Sequence, residues 1–251
     1  MIVYLAAFET LKRYYEKPID NVYFLSSFFE HKGKRGEIDD YICGDKHILD
    51  SGAYSTFKNI DQAKKMDWDD YVNKYISFIK KTGQRLFFEL DIDAIVGLDK
   101  VEYYRKKIED TVGIQPIPVW HASRKWDYFE YMCENYPYVS LGTTMANKQG
   151  KLIRKNPNVL KQFIHTAHKN GCKIHGLGFT DTSLLHELKF DSVDSTTWIS
   201  GARYGQVYQF DGAKMVHITP PKGMRATDHK IVNTRNFEEW VKFQKYALKN
   251  L

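Results

Sequence analysis

The sequence predicts an α/β protein built as a single (β/α)8 barrel of the TIM type, irregular in its first two β/α units, with a C-terminal hairpin and helix. Three observations predict it. Eight short apolar runs lie between Ile2 and Ser195, and most are separated by segments with apolar residues at helical spacing. A chain of 251 residues with 43% apolar content suits one large core, and barrels of this length are commonly one domain. No linker, internal repeat or low-complexity tract divides residues 1–251, so one domain is expected. A doubly wound sheet, which uses the same alternation, is the competing architecture.

The elements follow in order. Ile2–Ala6 reads as a buried strand, and the charged stretch from Glu9 to Asp20 has room for a short helix. Asn21–Leu25 is the second run, and the basic His31–Gly36 stretch breaks the pattern as a loop. Between Phe28 and Asp45 no helix is evident. His47–Asp50 is the third run, stopped by Ser51 and Gly52. From Asp67 to Lys81, Tyr71, Val72, Tyr75, Ile76 and Ile79 repeat at helical spacing, and Gly83 is placed to end the helix.

Leu86–Asp91 is strand four. Val101, Tyr104 and Ile108 then mark a helix that stops at Gly113. Ile117–His121 is strand five, with Pro116 and Pro118 limiting its ladder bonds. An aromatic helix from Trp126 to Tyr136 leads to strand six, Tyr138–Gly142. Asn156-Pro157 is a helix cap with proline in the first turn, and that helix runs to Gly171. Lys173–Gly178 is strand seven, Thr182–Leu188 a short helix, and Asp191–Ser195 strand eight. A hairpin turns at Asp211-Gly212, and a final helix opens at Asn236, with Glu239 completing a capping-box variant.

Composition narrows the function classes. The formal charge of +6 and a pI near 8.9 are compatible with a polyanionic partner, but the excess is too small to select one. Three widely spaced cysteines form no metal-type pair and, being odd in number, no disulfide framework, so a reducing compartment is the default. No apolar run approaches the ~18 residues of a spanning helix, and the N-terminus lacks a signal-peptide pattern. A soluble cytoplasmic protein without membrane contact is the expectation.

In a barrel the C-terminal strand ends share one mouth. Asp50 ends strand three, Asp91 and Asp93 end strand four, His121 ends strand five, Gly142 strand six, and Asp194 strand eight. Any one of these acids reads most simply as a cap or loop carboxylate. Four at one mouth are harder to dismiss, because clustered like charges destabilise a site that has no use for them. Paired carboxylates can divide attack and proton transfer at a glycosidic carbon, and another can accept hydrogen bonds from a purine edge. Gly142, Gly176 and Gly178 would let a flat base approach the backbone, though simple strand-end turns explain them equally well. His47 and His175 read as core or hydrogen-bonding histidines. Tyr54 and Phe57 are candidates to stack on a base. Lys148, Lys151, Arg154 and Lys155 form an acid-free basic run suited to backbone phosphates, with Lys214, Lys222, Arg225 and Lys230 a second set.

From about His47 to Gly205 the chain resembles the tRNA-guanine transglycosylase (queuine tRNA-ribosyltransferase) superfamily, and more closely its short phage-type relatives that insert 7-deazaguanine into DNA. Leu49-Asp-Ser-Gly-Ala-Tyr54 is similar to the family's Asp-Ser-Gly-Gly-Phe, which implies that Asp50 is a general acid/base. Leu188-Lys-Phe-Asp-Ser-Val-Asp194 resembles Leu-Gly-Val-Asp-Met-Phe-Asp, which ends in the nucleophile and selects Asp194 over Asp191. Asp91 or Asp93 sits where the family reads the base. Val139-Ser-Leu-Gly142 and His175-Gly-Leu-Gly178 resemble two further strand ends.

The resemblance implies an Asp-linked glycosyl intermediate, with guanine exchanged for a base of the preQ0 or preQ1 kind. Arg203 joins the basic residues as a nucleic-acid contact. There are departures: His121 replaces a glutamine, and the tRNA enzymes' zinc site of three cysteines and a histidine has no counterpart. Neither metal nor cofactor is therefore expected, and DNA is favoured over tRNA as partner. Relatives often dimerise, which extends here as a homodimer. An N-glycosidase that uses water, and a noncatalytic nucleic-acid-binding or partner subunit, are the alternatives.

Overall fold

The structure, a computed structural model, describes residues 1–7, 15, 21–31, 44–53, 60–143, 148–179, 181–199, 205–218 and 228–251. Eight parallel strands form one sheet: β1 Ile2–Ala6, β2 Phe24–Ser27, β3 His47–Asp50, β4 Leu86–Phe87, β5 Val119–Trp120, β6 Tyr138–Leu141, β7 Lys173–Gly176 and β8 Ser192–Ser195. Their spatial order is β4-β3-β2-β1-β8-β7-β6-β5. Nine helices among the described residues accompany them: α1 Phe28–His31, α2 Ile60–Lys64, α3 Trp68–Thr82, α4 Asp93–Val96, α5 Leu98–Val112, α6 Lys125–Asn135, α7 Lys148–Arg154, α8 Pro157–Lys169 and α9 His229–Asn250. None is long and apolar enough to cross a membrane.

The sheet curls. His175 on β7 stacks 5.2 Å from Phe88, just past β4, and 6.2 Å from Tyr4 on β1, measured between ring centroids. Strand alternation then divides the core in two. Tyr4, Ala6, Leu25, Ile48, Phe88, Ile117 and Val119 pack together on the concave side. Val3, Leu5, Trp120, Val139, Ile174 and Val193 face the helix layer. The fold is α/β and TIM-like, but the eight strands do not pair into a continuously closed barrel. Between the end strands β4 and β5 stands one isolated parallel bridge, Phe88 to Ile117.

Beside that bridge the ladder changes character. Ile117 N–H donates to the Phe87 carbonyl at 2.8 Å and Glu89 N–H to the Ile117 carbonyl at 3.0 Å. The next donor, Val119 N–H, is met by the Glu89 side chain at 2.8 Å. Glu89 is fully buried and also accepts from Arg105 at 3.0 Å and Arg124 at 2.6 Å. Arg124 reaches on to Asp93 at 2.7 Å. Two guanidiniums and two carboxylates thus balance in charge where the sheet's ends meet.

The helices follow their sequence signals closely. Asp67 caps α3 by accepting from Asp70 N–H, and Gly83, at φ 64°, ends it with a bond to the Ile79 carbonyl. Asn156 caps α8 through the Asn158 and Val159 N–H groups, a contact worth about 1 kcal/mol. The basic run from Lys148 is the helix α7 rather than a loop, and Thr182–Leu188 contains only a single 3-10 turn, Leu184–His186. The expected helix between Glu9 and Asp20 lies outside the described residues apart from Tyr15. After β2 comes one helical turn, α1.

The final helix corrects the sequence reading. It starts at His229, capped by Asp228, so Asn236 and Glu239 are interior. Their three-residue spacing also fits one helix face, and that face meets the hairpin β9 Val207–Phe210 and β10 Met215–Ile218. Asn236 accepts from Tyr208 N–H and Glu239 from Phe210 N–H, each at 2.8 Å.

Candidate active site

Asp194 is the best-supported carboxylate at the strand ends. Its register partner is Tyr4, so its side chain shares the concave face with the inner core. It is buried, and its Oδ1 accepts from Gly178 N–H at 2.5 Å and lies 3.1 Å from His175 Nε2. Oδ2 receives no hydrogen bond among the described residues. Gly178 stands at φ 63°, with open space where a Cβ would be, and that left-handed turn aims its N–H at the carboxylate. Arg154 donates to the Gly178 carbonyl and stacks on Phe179, so this member of the basic run braces the same turn. Asp191 lies at the opposite end of β8, where it bonds His168 and the Ile174 N–H.

A second, partly buried pair stands across the sheet. His121 Nδ1 lies 3.0 Å from the Gly142 carbonyl, a pure acceptor, so that nitrogen carries a proton. Nε2 lies 3.2 Å from Asp91 Oδ2. Burial alone would push the imidazole's pKa down. The hydrogen bond and charge of Asp91 outweigh it, and the net direction is up. A charged imidazolium with both N–H groups engaged accounts for the geometry, and among the described residues the other Asp91 oxygen receives no hydrogen bond.

A pH dependence follows. The folded pKa of His121 lies above the unfolded value of about 6.5. The stabilisation it brings is therefore complete below that value and fades as pH rises through the folded pKa. Urea unfolding from mildly acidic to mildly alkaline pH is expected to show stability falling on the alkaline side in wild type. His121→Gln should remove that slope, and an equal slope in both proteins would refute the pairing.

The remaining candidates divide. Asp50 ends β3 on the face of Ile48, and its Oδ2 accepts from Gly52 N–H at 3.1 Å. Asp93 is drawn away from the mouth: it opens α4 and pairs with Arg124, which outweighs burial and holds its carboxyl below the usual range. The glycines act differently from one another. A Cβ on Gly142 would meet the His121 ring at 2.5 Å, and one on Gly176 would meet Val193, Phe179 and Phe190 at 3.2 to 3.3 Å. Close approach at those two positions is made by these side chains. Lys148, Lys151 and Lys155 are exposed. Arg203, Tyr54, Phe57, Lys222 and Arg225 lie outside the described residues.

His47 sits at the far end of the sheet, between Ser26 at 2.6 Å and Gln84 at 2.8 Å, and burial pushes its pKa down. Among the described residues no group of three or more His, Cys, Asp or Glu side chains could hold a metal. Sequence reasoning missed Glu89, Arg124 and the contact of His175 with Asp194. The signal for Glu89 was a charge inside an apolar run. For His175 it was the polar i, i+2 pair Ser192 and Asp194 on the adjacent strand. The chain matches no protein-family model and no curated protein.

Proposed function

We propose that the protein is a base-exchanging pentosyltransferase acting on nucleic acid, DNA in preference to tRNA. Asp194 Oδ2 attacks C1′ of a guanosine nucleotide as the C1′–N9 bond breaks, and the electron pair leaves with guanine. Asp50 assists that departure by giving its proton to the guanine, which leaves neutral. A 7-deazaguanine base then attacks C1′, gives its proton to Asp50, and Asp194 leaves as a carboxylate. Asp91 reads donor groups on the base edge, and the exposed lysines of α7 meet phosphates. A base within a duplex must be flipped out to reach such a site.

The observation that carries this reading is a carboxylate fixed through one oxygen, with its other oxygen unengaged, at the mouth-side end of a parallel strand. Register supports a shared mouth. From the Tyr4–Asp194 pair it advances two residues at Ala6–Leu25, two at Phe88–Ile117, two at Val119–Ser140 and two on returning from Ser192 to Asp194. That advance of about eight in one circuit is the stagger of a TIM barrel, about one residue per strand. On that tilt Asp50 stands about one residue above Asp194, and His121, Gly142 and Gly178 about two to three above it.

The test is incubation with guanine-containing DNA or tRNA and labelled guanine or 7-deazaguanine bases. Label should enter DNA. Release of free base without uptake would instead identify an N-glycosidase. A folded protein that does neither on any polynucleotide would leave the noncatalytic binding reading.

A further inference from the structure

We propose that His175 is a positioning residue for Asp194, locked in its Nε2–H tautomer by a hydrogen-bond chain running back through Ser192 to Tyr138. This rests on reading Asp194 as the attacking carboxylate. The chain is short throughout: Tyr138 Oη to Ser192 Oγ is 2.5 Å, Ser192 Oγ to His175 Nδ1 is 2.5 Å, and His175 Nε2 to Asp194 Oδ1 is 3.1 Å. His175 and Ser192 are fully buried, so water does not compete for these bonds.

For a neutral imidazole, donor arithmetic fixes every hydrogen from the Asp194 end. An ionised carboxylate only accepts, so Nε2 must carry the proton that faces Asp194. With the imidazole neutral, Nδ1 presents a lone pair and Ser192 gives it its one hydrogen, so the Tyr138 phenol is the donor to Ser192. The opposite tautomer would set an imidazole lone pair against a carboxylate and leave the hydroxyl hydrogens crowded at Ser192. Phe88 and Tyr4 flank the ring and restrict its rotation.

The consequence lies in the transfer itself. When Oδ2 bonds to C1′, Oδ1 turns from carboxylate oxygen to ester carbonyl and keeps both N–H donors, from His175 and Gly178. When the incoming base displaces the ester, the electron pair returns to Asp194 and those donors receive the charge. His175 moves no proton. It holds the nucleophile's rotamer and supports it as a leaving group.

The test pairs spectroscopy with kinetics on the full chain. In 15N-histidine-labelled protein, with the His175 signals assigned by their loss in His175→Gln, wild type should give an imine-type shift at Nδ1 and a pyrrole-type shift at Nε2. Ser192→Ala, which takes the donor from Nδ1, should shift the Nδ1 resonance and cut kcat for exchange about tenfold, with KM for the base unchanged. His175→Met, which removes the donor, should lose about a hundredfold in kcat. His175→Gln, whose amide can still donate to Asp194, should stay within about tenfold of wild type. A protonated Nδ1 in wild type, or folded Ser192→Ala and His175→Met proteins both within twofold of wild-type kcat, would overturn the proposal. A wild type that exchanges no base yet shows the Nε2–H tautomer would remove the transferase reading while leaving the hydrogen-bond chain in place.

Discussion

Asp194→Asn is expected to leave a folded protein whose base exchange falls by about a thousandfold or more. Asparagine has the shape of aspartate, and its carbonyl can take the place of Oδ1, accepting from Gly178 and His175 as the native oxygen does. What it puts at the Oδ2 position is an amide NH2, which has no lone pair available for attack on C1′. Because the site is buried and the substitution removes a charge rather than a contact, stability should change by only about 1 kcal/mol. The measurement is exchange rate beside a thermal melt, with intact-mass spectrometry of a denatured reaction mixture to look for the sugar adduct. Wild type should accumulate a covalent adduct and the variant none. Exchange in the variant within tenfold of wild type would show that another group attacks.

Glu89→Ala is expected to be the most destabilising single change in the chain, at about 3–5 kcal/mol. The cost comes mainly from what remains. Arg105 and Arg124 are each almost wholly buried, and without Glu89 the polar partners left to face them among the described residues are Asp93, Glu102 and the Tyr128 hydroxyl. The Val119 N–H would also lose its acceptor, at the one place where the end strands meet. Against a typical total of 5–15 kcal/mol, a loss of that size brings a domain close to unfolding. Urea denaturation of wild type and variant decides it, and a difference below about 1 kcal/mol would contradict the account. Glu89→Gln should fall between the two, since its amide oxygen can still take Val119 N–H while the charge is gone.

Much of this architecture was legible before any coordinates. The strands Ile2–Ala6 and His47–Asp50 coincide with their apolar runs, helix α8 begins at the Asn156 cap that the sequence announces, and α3 ends at Gly83 as its pattern announces. Periodicity and capping are local physics, and local physics is readable. Where pairing stops is different. The run Leu86–Asp91 looks like one strand, yet β4 is only Leu86–Phe87, because Glu89's side chain takes over the ladder from a backbone carbonyl.

The site divides along the same line. That acids gather at strand ends followed from their positions. That Asp93 is captured by Arg124, 31 residues away in sequence, depends on β4 and β5 meeting. The partnership of His175 with Asp194 depends on β7 lying beside β8. Asn236 misled for a related reason, since a cap pattern and a packed helix face share the same spacing.

Asn236 and Glu239 also cover one flank of the hairpin. A strand at the border of a sheet is an invitation to further strands. On β9 the donors of Tyr208 and Phe210 are occupied by α9 along one flank, while β10 pairs along the other. Stripping the terminal helix back beyond Asn236 would therefore bare two amide groups in a row and turn a quiet hairpin adhesive.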